Sequence, residues 1–92
     1  MRRRAGLVSD WRIVYTRQAV KDAQRLAAAG LKPKAQYLLA LLSEDPFRSP
    51  PPFEKLRGDL AGAFSRRINV QHRLVYQVFA DKVRVLACRY HY

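Results

Sequence analysis

The spacing of apolar residues changes period once along this chain, and the change straddles a run of prolines. Ala35, Leu38, Leu39 and Leu42 fall at i, i+3, i+4 and i+7, the stripe of one helix face, within a helix expected from about Lys32 to Ser43 with Pro33 in its first turn. From Ala63 onward the period is two: Phe64, Arg66, Ile68 and Val70 alternate with Ser65, Arg67 and Asn69. Leu74, Tyr76 and Val78 then alternate with Arg73, Val75, Gln77 and Phe79, and Ala80 to Lys82 reads as a hairpin turn into a last strand from Val83 to Tyr90. Between the two regimes lies "FRSPPPF", Phe47 to Phe53, whose consecutive prolines favour a stiff extended spacer and forbid a central strand. A chain that is helical first and alternating afterwards has to pack helices on a sheet.

The start of the chain completes the pattern. Arg12 to Tyr15 is short and β-branched in its middle, a strand, and Thr16 is placed to cap a helix reaching about Ala28. Val20, Ala23 and Ala27 are the expected inward face of that helix, with Gly30 as its stop. The expected fold is α+β with the order β-α-α-β-β-β, two helices packed on one face of a twisted antiparallel sheet whose other face is left for function. Residues 1–10 are read as a flexible basic extension and residues 11–92 as a single domain.

Charge narrows the partners. Lys and Arg number 18 against 7 Asp and Glu, a net charge of +11 on 92 residues. Neither helix concentrates its charge opposite bulky apolar residues, so a membrane surface is disfavoured and nucleic acid leads, with an acidic protein as a compatible second partner. No apolar run is long enough to span a bilayer, and no apolar segment follows "MRRR" as a secretory signal requires, so a cytoplasmic protein is expected. One cysteine, Cys88, and two histidines make no disulfide and no credible zinc set; no metal and no cofactor are expected.

Strand parity groups Ser65, Arg67 and Asn69 on one face, with Arg73 and Gln77 in a similar set on the next strand and Arg89 and His91 in the last. If those sets align, arginines surround one imidazole. RNA supplies its own nucleophile in the 2′-hydroxyl, so cleavage needs a base, cations for the charge on phosphorus and an acid for the departing 5′ oxygen. Arginine suits the second task. Among the candidates Glu54 fits the first and His91 the third. The residues alone support an RNA-binding α+β domain, with nuclease chemistry as the minority alternative; His72 reads as structural, fixing the turn before Arg73, and Phe64 and Tyr76 as core or stacking residues.

The strings "GAFSRRINVQHRLVYQV" and "ACRYHY" resemble the YoeB (Txe) family of toxin-antitoxin toxins, within the RelE-like superfamily, over Arg12 to Tyr92. The resemblance implies a microbial-ribonuclease-like fold and a ribosome-dependent messenger-RNA endoribonuclease. The substrate's own 2′-hydroxyl is then the expected nucleophile and inhibited translation the expected result, and with no plausible metal ligands in the chain the chemical step is expected to need no divalent ion. Glu54, Arg73, His91 and Tyr92 fall on the family's catalytic positions, and Arg57, Arg67 and Arg89 on RNA-binding ones. Where the family commonly shows E-P-L-K, this chain has Glu54-Lys55-Leu56-Arg57. Implied partners are a Phd/YefM-like cognate antitoxin, messenger RNA at the ribosomal decoding site and, optionally, a second copy of the chain; DNA is reached only through the antitoxin. The competing readings are a non-catalytic ribosome- or RNA-binding translation inhibitor and, last, a DNA-binding subunit, for which no polar recognition helix is present.

Overall fold

A computed structural model describes residues 11–88. Five strands and two helices follow in the order β1 (Arg12–Tyr15), α1 (Arg17–Ala28), α2 (Lys32–Glu44), β2 (Phe53–Lys55), β3 (Phe64–Arg67), β4 (Arg73–Val78) and β5 (Lys82–Ala87). The expected α+β class holds, with both helices on one face of the sheet. Two features were not legible: β2 adds an edge strand directly after the prolines, and β1 pairs with β5 in parallel, so the sheet is mixed, in the order β1-β5-β4-β3-β2. β3 ends at Arg67, short of Val70, because Asn69 Oδ1 accepts the backbone N–H groups of Gln71 and His72 and turns the chain.

Helix α1 is bounded by local chemistry. Thr16 Oγ1 accepts from Ala19 N–H at 3.1 Å as the N-cap, and its own O–H donates to the Leu86 carbonyl at 2.8 Å, tying the helix start to β5. At the other end Gly30 adopts φ 78°, and the Gly30 and Leu31 N–H groups return to the Ala27 and Leu26 carbonyls, a Schellman closure that a residue with a Cβ would strain.

The inward face of α1 differs from expectation. Ala19, Asp22 and Leu26 are buried, while Val20 is 49% exposed and Ala23 and Ala27 face outward. The stripe is displaced because it contains an aspartate. Asp22, 2% exposed, accepts from Cys88 N–H at 3.0 Å and from Gln18 Nε2, one turn earlier, at 2.8 Å, so one tertiary and one local partner satisfy a carboxylate that periodicity assigns to solvent. Val20, Ala23 and Ala27 instead border an apolar groove of about 430 Å³ between the helices, shared with Leu39 and Cys88.

Helix α2 buries Ala35, Leu38, Leu41 and Leu42. Ala35, Leu38 and Leu42, with Ala19 and Leu26, meet Leu74, Tyr76, Val83 and Val85, so the even positions of β4 and the odd positions of β5 up to Val85 form the helix-facing side of the sheet. Trp11 closes the far edge: its N–H donates to the Ser43 carbonyl and its Nε1 to that of Phe79.

Cys88 sits where β5 meets α1. Burial, and secondarily the Asp22 carboxylate, push its thiol up from the ordinary value to about 12. Below pH about 9 the thiol is protonated in native and unfolded chains alike; above it only the unfolded chain ionises. Stability is therefore expected to fall with rising pH by up to about 1.4 kcal/mol per unit from this group, a slope absent from Cys88→Ala in urea titrations at pH 8.5 to 10.5. Iodoacetamide at pH 8 should label the native thiol at least about a hundredfold more slowly than the unfolded one, as read by mass spectrometry.

Candidate functional site

Register places the candidate residues. Glu54 of β2 lies opposite Ser65 of β3, Ser65 opposite Val75 of β4, and Arg67 opposite Arg73. All of them point away from the helices, since the alternate positions Phe64, Leu74 and Tyr76 belong to the core. Arg73 Nη1 donates to Glu54 Oε1 at 2.9 Å and to Ser65 Oγ at 3.3 Å. Ser65 is buried and forms the floor; the Arg73 side chain is 29% exposed and that of Glu54 67%. The carboxylate thus stands at the rim, with a half-buried guanidinium aimed at it from the adjoining strands.

Arg67 is exposed directly across from Arg73. Two like charges facing one another across a ladder oppose sheet formation, and an anion between them reverses the sign of that contribution. The arrangement has one carboxylate, one serine hydroxyl and two guanidinium groups on one face of the sheet. It can bind a phosphate through fork-shaped donors and hold a carboxylate beside it.

The other expected residues fall elsewhere. Arg57 is exposed just beyond β2, before the short 3-10 turn Gly58–Leu60, and makes no hydrogen bond or ion pair with the Glu54–Arg73 pair among the described residues. Arg89, His91 and Tyr92 lie outside the described residues. His72 stands at the β3–β4 turn as expected: its carbonyl accepts the Ile68 N–H at 2.8 Å, and its Nδ1 is 3.1 Å from Asn69 Oδ1. Phe64 and Tyr76 belong to the core, as expected.

Arg66 was read only as one of an alternating set. It is 1% exposed. Its guanidinium donates to Tyr76 Oη and to the carbonyls of Pro46, Arg48 and Pro51, with its carbon 4.9 Å from the centre of the Phe53 ring. The available signal was a cation at a core-parity strand position, in a chain whose preceding loop is short of N–H donors. Burial raises the Tyr76 hydroxyl above its usual range, and Arg66 partly offsets this.

The sequence profile described as a YoeB-like toxin of bacterial type II toxin-antitoxin system matches residues 15–92. The chain belongs to this family. Among its relatives, Toxin YoeB of Streptomyces coelicolor is 37% identical over 83 residues, 88% of this chain and 99% of that protein. The YoeB/ParE toxin from Agrobacterium tumefaciens superposes with a TM-score of 0.78 at 32% identity, covering 88% of this chain and 99% of the other. The toxin chain in the YoeB-YefM complex from Staphylococcus aureus gives 0.76 at 31% identity, covering 91% and 100%. The RelE-like fold expected from the YoeB resemblance is thus the fold observed. Like other members of this family, the chain is a toxin of a type II toxin-antitoxin system.

Because the Glu54–Arg73 pair is at the rim and solvated, its contribution to stability is small. Glu54→Gln and Arg73→Ala are each expected to change unfolding free energy by less than about 1 kcal/mol in urea titrations. The two residues can therefore be removed without unfolding the toxin, and a loss of more than about 2 kcal/mol would show the pair to be part of the scaffold.

Proposed function

We propose that this YoeB-family toxin is a ribosome-dependent endoribonuclease that cuts messenger RNA at the Glu54–Arg73 site. The observation that carries the reading is the contact of one carboxylate with one guanidinium, with a second arginine opposite, on the face of the sheet turned away from the core. A phosphate entering between Arg67 and Arg73 competes with Glu54 for the Arg73 fork. As Arg73 turns to the phosphate, the Glu54 carboxylate is released to take the 2′-hydroxyl proton. The 2′ oxygen then attacks phosphorus while the arginines balance the added negative charge. His91 would protonate the departing 5′ oxygen and Tyr92 would orient it; both roles rest on the sequence resemblance. Arg57 and Arg89 would add backbone phosphate contacts.

The upstream fragment then carries a 2′,3′-cyclic phosphate and the downstream one a 5′-hydroxyl. The ribosome's part is to supply a message held in the geometry of in-line attack, which a small exposed site does not impose by itself. A cognate antitoxin is the proposed neutralising partner, since relatives are known in complexes such as YoeB-YefM from Staphylococcus aureus. The net charge of +11 favours an acidic antitoxin segment.

Glu54→Gln and Arg73→Ala are expected to lower cleavage of messenger RNA on programmed ribosomes by about 10²- to 10³-fold, read by primer extension. Deleting His91 and Tyr92 should lower it comparably while antitoxin binding persists. A message carrying 2′-deoxyribose at the cut site should stay intact; cleavage there would mean that water attacks and that Glu54 has another role. Intact message with halted translation would favour a non-catalytic inhibitor instead.

A further inference from the structure

The loop between α2 and β2 carries Pro46, Pro50, Pro51 and Pro52, none of which has an N–H to give. The N–H groups of Phe47 and Arg48 are spent on Asp45, on its Oδ1 and its carbonyl, while the carbonyls of Pro46, Arg48 and Pro51 turn inward. Each needs an outside donor, since a buried carbonyl without one is costly. A single side chain offers enough donors in a fixed plane, and that is arginine, with five. Arg66 meets all three carbonyls through Nη1 and Nη2, and its Nε–H reaches Tyr76 Oη at 3.0 Å.

Arg66 has no carboxylate partner among the described residues, so ion pairing does not explain why a cation is buried here. Its contacts do. They reach the loop at its start, middle and end, and Arg66 is itself the β3 residue opposite Phe53, so the loop is fixed at the point where it becomes β2. Phe53 lies over the guanidinium and also packs with Phe47 and Phe64, which bracket the same junction. Glu54 is the next residue, and its side chain emerges on the opposite face toward Arg73.

We propose that Arg66 is a positioning residue for Glu54: its guanidinium gathers the carbonyls of the proline-rich loop and so sets where β2 delivers the carboxylate. The catalytic part of this inference rests on the reading of Glu54 as the base. Substitution of Arg66 should therefore damage the Glu54 contribution in particular. Lysine keeps the charge, but its donors radiate from one point and cannot span three carbonyls and a phenol. Methionine keeps much of the packing and leaves the carbonyls of Arg48 and Pro51 without the Arg66 donors, while Tyr76 Oη stays 3.4 Å from that of Pro46.

The test uses Arg66→Met and Arg66→Lys in the full chain, with amide hydrogen exchange and cleavage kinetics on programmed ribosomes. In Arg66→Met, exchange at Phe53–Lys55 should rise at least about tenfold while that of Leu74–Val78 changes less than about threefold. Cleavage kcat should fall at least about tenfold with KM for ribosomes within about twofold. The variant carrying both Arg66→Met and Glu54→Gln should be within about twofold of Glu54→Gln alone, because a carboxylate already lost cannot be misplaced. If Arg66→Met does not fold, Arg66→Lys carries the same three readouts with smaller changes in the same direction. Unchanged exchange in β2, or losses that multiply in the combined variant, would overturn the proposal. If the unaltered toxin fails to cut at all, the endoribonuclease reading falls, while exchange at Phe53–Lys55 still decides whether Arg66 holds β2 in place.

Discussion

Strand β5 is the element on which the rest of the molecule hangs. It carries a parallel ladder to β1 on one side and an antiparallel ladder to β4 on the other, and helix α1 is tied to its end by two side chains. Thr16 donates to the Leu86 carbonyl and Asp22 accepts the Cys88 N–H, so the first helix is held to backbone as well as packed on Val83 and Val85. A slip of one residue in β5 would turn its apolar side chains to the open face and break both hydrogen bonds at once. Between Val75 and Tyr76 the β4–β5 register shifts, which lets Ala87 take the open face and Cys88 the core face at the end of the strand.

On this frame, alternation along β3 assigns adjacent arginines to different tasks. Arg66 goes inward to a cage of carbonyls and Arg67 goes outward to face Arg73. The same residue type thus serves as a donor to carbonyl dipoles on one side of the sheet and, with no carboxylate partner for Arg67 among the described residues, as an exposed cation on the other. What differs is the surroundings: dipoles and an aromatic ring inside, water and a like charge outside. The Glu54–Arg73 contact reaches from β2 across β3 to β4, so the open face draws its charged groups from the same strands whose other side chains pack on the closed one.

Much of the fold was readable from residues alone because it is local. The Thr16 cap, the Gly30 stop and most of the α2 stripe are each written within a few residues and formed where the pattern placed them, whereas β3 ends before the expected Val70 and Leu41 is buried where Leu39 was expected. The α1 face was misread for a definite reason: Asp22 breaks the apolar stripe, and its partner Cys88 is far away in sequence. β2 was passed over because three residues after a proline run carry too little alternation to signal a strand. Of the site, the pairing of Arg67 with Arg73 follows from the hairpin they share, whereas the approach of Glu54 to Arg73 depends on how a long connection returns to the sheet edge.

The switch from helix to strand, the caps, the basic charge and the family to which the chain belongs could be read from residues alone, because these are properties of short stretches or of the composition as a whole. That β1 runs parallel to β5, that Asp22 and Arg66 are interior groups and that Glu54 touches Arg73 could be seen only in the folded chain. Those outcomes join segments distant along the chain. A buried polar side chain is stable only where its partners arrive from elsewhere, and no stretch of sequence records that arrival.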